Sequence, residues 1–411
     1  MTVSLVFAVS VDTKVISLDS VETVHIALFE SQDDAIKVCF GSDVTVVGIT
    51  PYAPDDHYSP VPITASPSDK HEKGADLAKW LETVLDTWKT HPLGERINRP
   101  IWALGTDGDV SYCLAKQTIC VYKQVDKSTP LGSLLSSLLC LNCYTSKDGT
   151  TGTCDPKHIF KWFATLLQST SGFTVNDANI RPGDNVDQLA LLPNMFVDKA
   201  CQLLDPSDKK NVPKAVTLVQ SLFQLKDLSA SLNPTVNQHQ HAIAFIANMM
   251  NYFMWPFISI NMTLSEQVRS LATYTFLAAA VQIKHGTACL TGPLYADSHA
   301  TVKNIIFTIA RMQVMDSSLL FYILLEGTDH LEGLFGDCRT QDHAQNFDIE
   351  QLAGKLSVAT IINAGMESNP DLDRGHQHLS LKDAMAVDHV NQKSWTGDVC
   401  VGDVDLNIQW K

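Results

Sequence analysis

The sequence lacks features that define several common classes of protein. Its 30 lysine and arginine residues are outnumbered by 45 aspartate and glutamate residues, so the formal net charge at pH 7 is −15. This shortage of positive charge opposes unaided binding to a phosphate backbone, because non-specific affinity for nucleic acid comes mostly from lysine and arginine. The sequence also has no G-x-x-x-x-G-K-[ST] motif, so nothing in it supports nucleotide binding.

Signals for secretion and for a membrane span are missing as well. Ten cysteines in 411 residues do not make a disulfide framework, and no basic segment precedes the apolar start from Val3 to Val11. The longest apolar stretch, Ala242 to Ile260, contains Asn251 and Pro256, which predicts a buried helix rather than a membrane span. We therefore expect a protein of the nucleus or the cytoplasm with no membrane partner.

The sequence does contain enough apolar residues, 45%, to bury a large core. Runs rich in valine, isoleucine and leucine predict adjacent strands, and an amphipathic helix from Gly74 to Thr90 leads to a buried strand from Pro100 to Leu104. This order predicts an α/β fold. The early strand runs are residues 3–11, 14–19, 25–31, 44–50 and 61–65.

An acidic residue follows the buried strand. The strand is predicted to end at Gly105-Thr106-Asp107-Gly108-Asp109, and ligands collect at the carboxyl ends of strands in such sheets. Asp107 is therefore a candidate site residue. The alternative interpretation is a turn aspartate, which a T-D-G-D loop also favours.

A second acidic pair lies near the end of the chain. Asp329 and Glu332 are three positions apart, so both carboxylates project from one face if the helical pattern of Leu331, Leu334 and Phe335 continues through them. Such a pair is suited to binding a metal ion. It is also typical of an ordinary solvated helix face.

Several segments of the chain resemble one family. The run from Gly327 to Thr340, GTDHLEGLFGDCRT, with the following NFDIEQL, resembles transposon-derived proteins of mushroom-forming fungi, and this pattern looks like a segment of P-element-type transposases and their THAP-domain relatives. Further matches lie at Ile101 to Asp109, Cys154 to Leu167, Leu203 to Leu222 and Asp388 to Val399.

The resemblance implies an RNase H-like mixed sheet flanked by helices, with a DDE site that binds Mg²⁺ or Mn²⁺. Asp107 then matches the second acid of the site, Glu332 is the other metal ligand, and Asp329 assists. The first acid is missing, because Ala8 stands at that position. Asp12 is nearby but is predicted to belong to the turn after the strand. Weak or vestigial metal binding and impaired DNA cleavage and strand transfer follow.

The long separation of Asp107 from Glu332 predicts an inserted domain. We expect the core at residues 1–170 and 312–411, and an all-helical insertion at residues 171–311. Within the insertion, Thr263 and Glu266 form a capping box, and Ser298 is predicted to cap a further helix.

The cysteine spacing suggests one more site, a zinc ion held by Cys140, Cys143, Cys154 and His158. We do not expect this ion, because Cys140 follows a separate apolar run. Asp155 is predicted to cap the helix that carries His158, with Pro156 at its first position. Structural packing is then the favoured role of His158.

Two functions remain open at this point. The first is a transposase-derived protein that reaches DNA through a partner chain or a lost basic domain. The second is a non-enzymatic scaffold that binds a protein partner or another copy of itself, which the acidic charge and Ala8 favour.

Overall fold

A computed structural model describes residues 3–7, 43–52, 60–68, 71–106, 108–208, 211–341, 349–368 and 395–410. The predicted strands at 14–19 and 25–31 lie outside this part of the chain. The strands are β1 (Val3–Phe7), β2 (Asp43–Pro51), β3 (Val61–Ser68), β4 (Ile101–Thr106), β5 (Lys123–Gln124), β6 (Tyr144–Thr145), β7 (Thr151–Cys154), β8 (Phe173–Val175) and β9 (Ala178–Ile180).

The α-helices alternate with the strands at first and then dominate the chain. They are α1 (Gly74–Thr90), α2 (Glu95–Asn98), α3 (Val110–Cys120), α4 (Pro130–Ser136), α5 (Pro156–Leu167), α6 (Pro182–Leu189), α7 (Val197–Leu204), α8 (Val212–Phe223), α9 (Pro234–Ile258), α10 (Leu264–His285), α11 (Gly292–Met315), α12 (Asp329–Thr340), α13 (Ile349–Ser368) and α14 (Leu406–Gln409). The α/β class predicted from the sequence is confirmed.

The main sheet has five strands in the order β3-β2-β1-β4-β7. β2 pairs antiparallel with β1 on one side and with β3 on the other. β4 pairs parallel with β1 and with β7, and the intervening helices make these crossovers. The register places Phe7 of β1 opposite Thr106 of β4, and Thr106 opposite Cys154 of β7. Three parallel strands therefore end at the same edge of the sheet.

Helices cover both faces of this sheet. On one face, Leu81 of α1 and Ala115 of α3 lie in one buried cluster with Val47 and Leu104 of the strands. On the other face, α11 packs along β7, and Thr301 of α11 donates its hydroxyl to the Cys154 carbonyl at 3.0 Å. The sheet is thus held from two sides, as in other layered α/β proteins.

The helix predicted to carry Asp329 and Glu332 is present as α12, and it packs against β2 near the end of the sheet where the parallel strands β1 and β4 end. Leu331 and Leu334 of α12, together with Leu356 of α13, form a small buried cluster with Val46 of β2. A Cβ added to Gly48 would lie 3.1 Å from Leu331 Cδ1, so the glycine lets the helix approach the strand closely. Core packing fixes where α12 sits.

The block from β8 to α11 contains the longest helices. Helices α9 and α10 pack together, and Phe253 and Tyr274 join them to Phe163 of α5 through ring contacts of 5.0 to 6.1 Å. The β8–β9 hairpin departs from the all-helical pattern expected here. Among the described residues, no helix is sufficiently long and apolar to cross a membrane. The division at 311/312 remains a prediction, and it falls within α11.

Candidate metal centre

The parallel strands β4 and β7 end beside each other, and in the sequence an acid directly follows each of them. Asp155 comes immediately after β7, and its N–H donates to the carbonyl of Thr106, the last residue of β4, at 3.3 Å. Its carboxylate also caps α5 by accepting from the Lys157 N–H at 3.3 Å, and Pro156 takes the first position of that helix. The predicted cap is therefore confirmed. One turn further along α5, His158 projects from the same helix face.

A carboxylate from a distant part of the chain meets this pair. Asp155, His158 and Glu332 each offer one ligand atom, and these atoms all lie within 4.8 Å of one another. Asp155 is buried, His158 is partly buried, and Glu332 of α12 is exposed. Asp155 therefore forms the buried side of the cluster, at the end of β7, and Glu332 forms the side that is open to solvent.

Asp155 holds the imidazole ring in place. Its Oδ2 lies 2.6 Å from His158 Nδ1. A carboxylate that is hydrogen-bonded to Nδ1 fixes the tautomer of the ring, so that Nε2 can bind a metal ion. Burial opposes ionisation of Asp155, but the hydrogen bond and charge of His158, with the charges of Lys157 and Lys161, outweigh burial and hold the pKa of Asp155 below its ordinary value. Its ionised form therefore stabilises the folded chain above the ordinary carboxyl range, and this stability is lost as pH falls through the lowered pKa.

Gly327 brings the start of α12 against Asp155. Its φ of +100° is in the region that favours glycine, and a Cβ built on it would lie 2.7 Å from both Asp155 Oδ1 and Pro156 Cδ. No larger residue fits without moving the chain. The segment before α12 therefore lies directly on the strand end that carries Asp155.

We expect the substitution Gly327→Ala to destabilise the chain by about 1–3 kcal/mol, the usual cost of a backbone conformation that an L residue rarely adopts, and to displace α12 from Asp155. Denaturant unfolding measures the change. Gly354→Ala is the matched control, because Gly354 lies in α13 with nothing near its Cβ position, and alanine there should stabilise the helix. A neutral Gly327→Ala would contradict the close approach.

The residues predicted from the sequence fall in three groups. Glu332 lies in the cluster. Asp329 begins α12, but its side chain is outside the described part of the structure. Asp107 and Ala8 also lie outside the described residues, although the structure describes Gly108 next to Asp107. Gly108, just after Asp107, packs so closely on Trp162 of α5 that an added Cβ would lie 2.9 Å from the ring.

The four residues with a zinc-like spacing, Cys140, Cys143, Cys154 and His158, do not meet at one point. Cys140 is exposed, whereas Cys154 is buried in β7. Cys143 donates its thiol toward the carbonyls of Leu135 and Leu141. Among the described residues, the group of possible metal ligands that includes His158 contains two carboxylates and none of these cysteines. Sequence analysis gave His158 a packing role and Asp155 a capping role, and so missed both as members of the cluster.

The donor set fits a divalent ion. Ligands about 2.0–2.3 Å from a shared ion lie at most about 4.5 Å from each other, and the three ligand atoms here all lie within 4.8 Å of one another, so a small adjustment lets them share an ion. Mg²⁺ demands an octahedron of oxygen ligands, whereas Mn²⁺ accepts carboxylates and tolerates an imidazole. Two carboxylates and one histidine therefore suit Mn²⁺ better than Mg²⁺.

The arrangement of a mixed sheet with a large helical block has a counterpart among solved structures. The chain is similar to the Drosophila P element transposase strand transfer complex, with a TM-score of 0.53, 12% sequence identity, and coverage of 90% of this chain and 77% of that chain. No protein-family model and no curated protein matches the sequence. The similarity confirms the resemblance to P-element-type transposases at the level of the fold.

Proposed function

We propose that this chain is a transposase-derived protein with an RNase H-like core, in which Asp155, His158 and Glu332 form a divalent-metal centre. The observation that carries the proposal is the meeting of Asp155 and Glu332, which are far apart in sequence, at the carboxyl end of a parallel strand. Ligands bind at such strand ends in α/β sheets. Core packing of β7 and α12, rather than a metal, brings these carboxylates together.

The sheet supports the RNase H-like assignment. Three antiparallel strands come first, a helix follows, and β4 and β7 then add parallel to β1. We assign residues 171–311 to the helical insertion. In this assignment Asp107, which follows β4, supplies a further carboxylate to the centre, and Asp329 assists from the first turn of α12.

Asp155, His158 and Glu332 would hold the divalent ion, which would supply activation of a nucleophilic oxygen and stabilisation of the leaving oxygen of a phosphodiester. The residues of this chain orient the ligands and leave one side of the centre accessible. Asp155 holds the ring of His158, while Glu332 approaches from the exposed side, where a strand of DNA has access. The partner in this proposal is DNA, brought by a partner chain that supplies basic residues, because the net charge of −15 opposes unaided binding.

We further propose that cleavage and strand transfer are impaired. Phe7 ends β1 level with Thr106 of β4, and the next residue in the sequence is Ala8 rather than an acid. A centre without this carboxylate has fewer ligands for the ions that phosphodiester chemistry needs. Binding of a metal ion without efficient turnover is the expected behaviour.

Two measurements on the full chain test this function. Electron paramagnetic resonance should show free Mn²⁺ disappear as the protein is added, with less loss of Mn²⁺ when Glu332 is replaced by Gln. A plasmid incubated with the chain and Mn²⁺ at low salt should remain uncut. Metal-dependent cleavage that vanishes in Glu332→Gln would refute the impairment, and wild-type protein that leaves Mn²⁺ free would refute the metal centre.

The second candidate is a scaffold without catalysis. The acidic charge and Ala8 favour it, because both weaken the case for a DNA-processing enzyme. It differs from the first candidate in one measurable way: a scaffold has no need for the centre, so Mn²⁺ should not bind and Glu332→Gln should leave partner capture unchanged.

A further inference from the structure

A buried carboxylate lies just before α12 and outside the metal centre. Glu326 follows a 3₁₀ turn at Ile323–Leu325 and is only 2% exposed. Both of its oxygens accept hydrogen bonds. Oε1 accepts from the Tyr52 hydroxyl at 2.9 Å, and Oε2 accepts from the Thr153 hydroxyl at 3.0 Å. The amide of Asn304 donates to both oxygens, at 2.8 and 2.9 Å.

These partners come from separate parts of the fold. Tyr52 directly follows β2, Thr153 belongs to β7, and Asn304 belongs to α11. The carbonyl oxygen of the Asn304 side chain accepts in turn from the Thr151 hydroxyl, which fixes the orientation of the amide. Every polar group that faces Glu326 is therefore held by a second contact or by a strand.

The charge of Glu326 is partly balanced. Burial raises the pKa of Glu326 to about 7, against the hydrogen bonds of its three partners and the positive charge of Arg311, which lower it. Arg311 of α11 is itself anchored by donating to the Trp102 carbonyl at 3.0 Å. A buried carboxyl group with so many fixed partners is costly to place, and removing one partner leaves the others unsatisfied.

The network connects the two halves of the metal centre. Thr153 is two residues before Asp155 on β7, and Glu326 is two residues before Thr328, whose carbonyl accepts from the N–H groups of Leu331 and Glu332 in the first turn of α12. Between them, Gly327 lies directly on Asp155. One side chain thus ties the strand that carries one ligand to the helix that carries the other.

We infer that Glu326 is a positioning residue, which sets the start of α12 on β7 so that Glu332 reaches Asp155 and His158. This inference rests on the proposed metal centre. Residues that orient metal ligands typically contribute 10–100-fold to metal affinity without touching the ion. Glu326 contacts no member of the centre through its side chain in the contacts described above, so its effect must pass through β7 and α12.

The experiment compares Mn²⁺ affinity across a set of full-length variants. Glu326→Ala and Glu326→Gln should each weaken binding about 10–100-fold. In Glu326→Gln, the new amide faces the Asn304 amide, so two donors oppose each other. The double variant Asn304→Asp with Glu326→Gln exchanges donor and acceptor and should restore affinity to within about threefold of wild type. Glu82→Gln, on the exposed side of α1, is the surface control.

Rescue shows that the hydrogen-bond polarity between residues 304 and 326 controls the affinity, and denaturant unfolding of the same variants shows whether affinity changes without a matching loss of stability. Folded Glu326 variants with wild-type affinity, or a double variant no better than Glu326→Gln, would overturn the inference. The Gln variants keep the test valid if Glu326→Ala does not fold.

Amide hydrogen exchange gives a readout that needs no metal. In Glu326→Gln, the N–H groups of Leu331 and Glu332 should exchange at least about tenfold faster, while α9 and α10 remain protected. If wild-type protein binds no Mn²⁺, the proposed function fails and exchange alone decides the inference. Unchanged protection of these two amides would then overturn it.

Discussion

Replacing Asp155 by Asn should weaken Mn²⁺ binding by about 100-fold or more while leaving the fold intact. Asparagine has the same shape and is as good a helix cap as aspartate, so α5 should still begin at Pro156. What the variant loses is the negative charge beside His158 and an acceptor for its Nδ1 proton. Removal of a carboxylate that orients a histidine ligand accounts for up to about 100-fold, and loss of a charge near the ion adds to this.

A matched control is available at another helix cap. Asp405 caps α14 by accepting from the N–H groups of Asn407 and Ile408, and it is exposed. Asp405→Asn should therefore leave Mn²⁺ binding unchanged. Titration followed by electron paramagnetic resonance, with circular dichroism for the fold, measures both variants. If Asp155→Asn binds Mn²⁺ as tightly as wild type, Asp155 is only a helix cap, which is how the sequence pattern represents it.

The sequence pattern predicted the cap and missed the site because the site depends on a non-local pairing. β7 is a four-residue strand of threonine, glycine and cysteine, with no alternation of apolar and polar residues. It is a strand because Ala103 to Thr106 of β4 pair with it in parallel. A reader of the sequence, who does not see that pairing, recognises Asp155 only as an aspartate that precedes Pro156 and caps a helix. The signal in the sequence was that Asp155 directly follows the short run that forms β7, just as Asp107 directly follows β4.

Local signals did predict local structure. The helix expected from Gly74 to Thr90 has those bounds, and Thr263 and Glu266 form the expected capping box, with the Thr263 N–H donating to Glu266 Oε2 at 2.8 Å. Both depend on residues within one or two helical turns. The structure therefore agrees with the sequence wherever the determining contacts are short in range.

Ser298 shows the opposite case. It was expected to begin a helix, and that prediction was wrong, because α11 begins at Gly292 and Thr291 is its cap. Ser298 is fully buried in the helix, where it lies 2.7 Å from the Tyr274 hydroxyl and donates to the Tyr295 carbonyl. A serine buried against a tyrosine from another helix cannot be distinguished from a cap by its local sequence.

Lys116 and Asp297 form a buried ion pair close to the ends of β4 and β7. Lys116 of α3 donates to Asp297 Oδ1 of α11 at 2.8 Å, to the Thr153 carbonyl at 3.0 Å and to the Thr106 hydroxyl at 3.2 Å. The side chains of Lys116 and Asp297 are only 3% and 6% exposed. Gly152 leaves room for the lysine, since an added Cβ would lie 2.9 Å from Lys116 Cγ. This ammonium group joins helices on opposite faces of the sheet.

Replacing Lys116 by Met should therefore lower the free energy of unfolding by about 3–5 kcal/mol, the usual cost of leaving one partner of a buried ion pair uncompensated. The hydroxyl of Thr106 and the carbonyl of Thr153 lose their donor as well. The double variant Lys116→Met with Asp297→Leu should recover most of this loss, because an apolar pair of similar volume replaces both charges together. Denaturant unfolding of the two single variants and the double variant measures the coupling. A Lys116→Met variant that loses less than about 1 kcal/mol would show that the pair is solvated, and a double variant less stable than either single variant would show that the sheet needs the charge itself to hold α3 and α11 on its two faces.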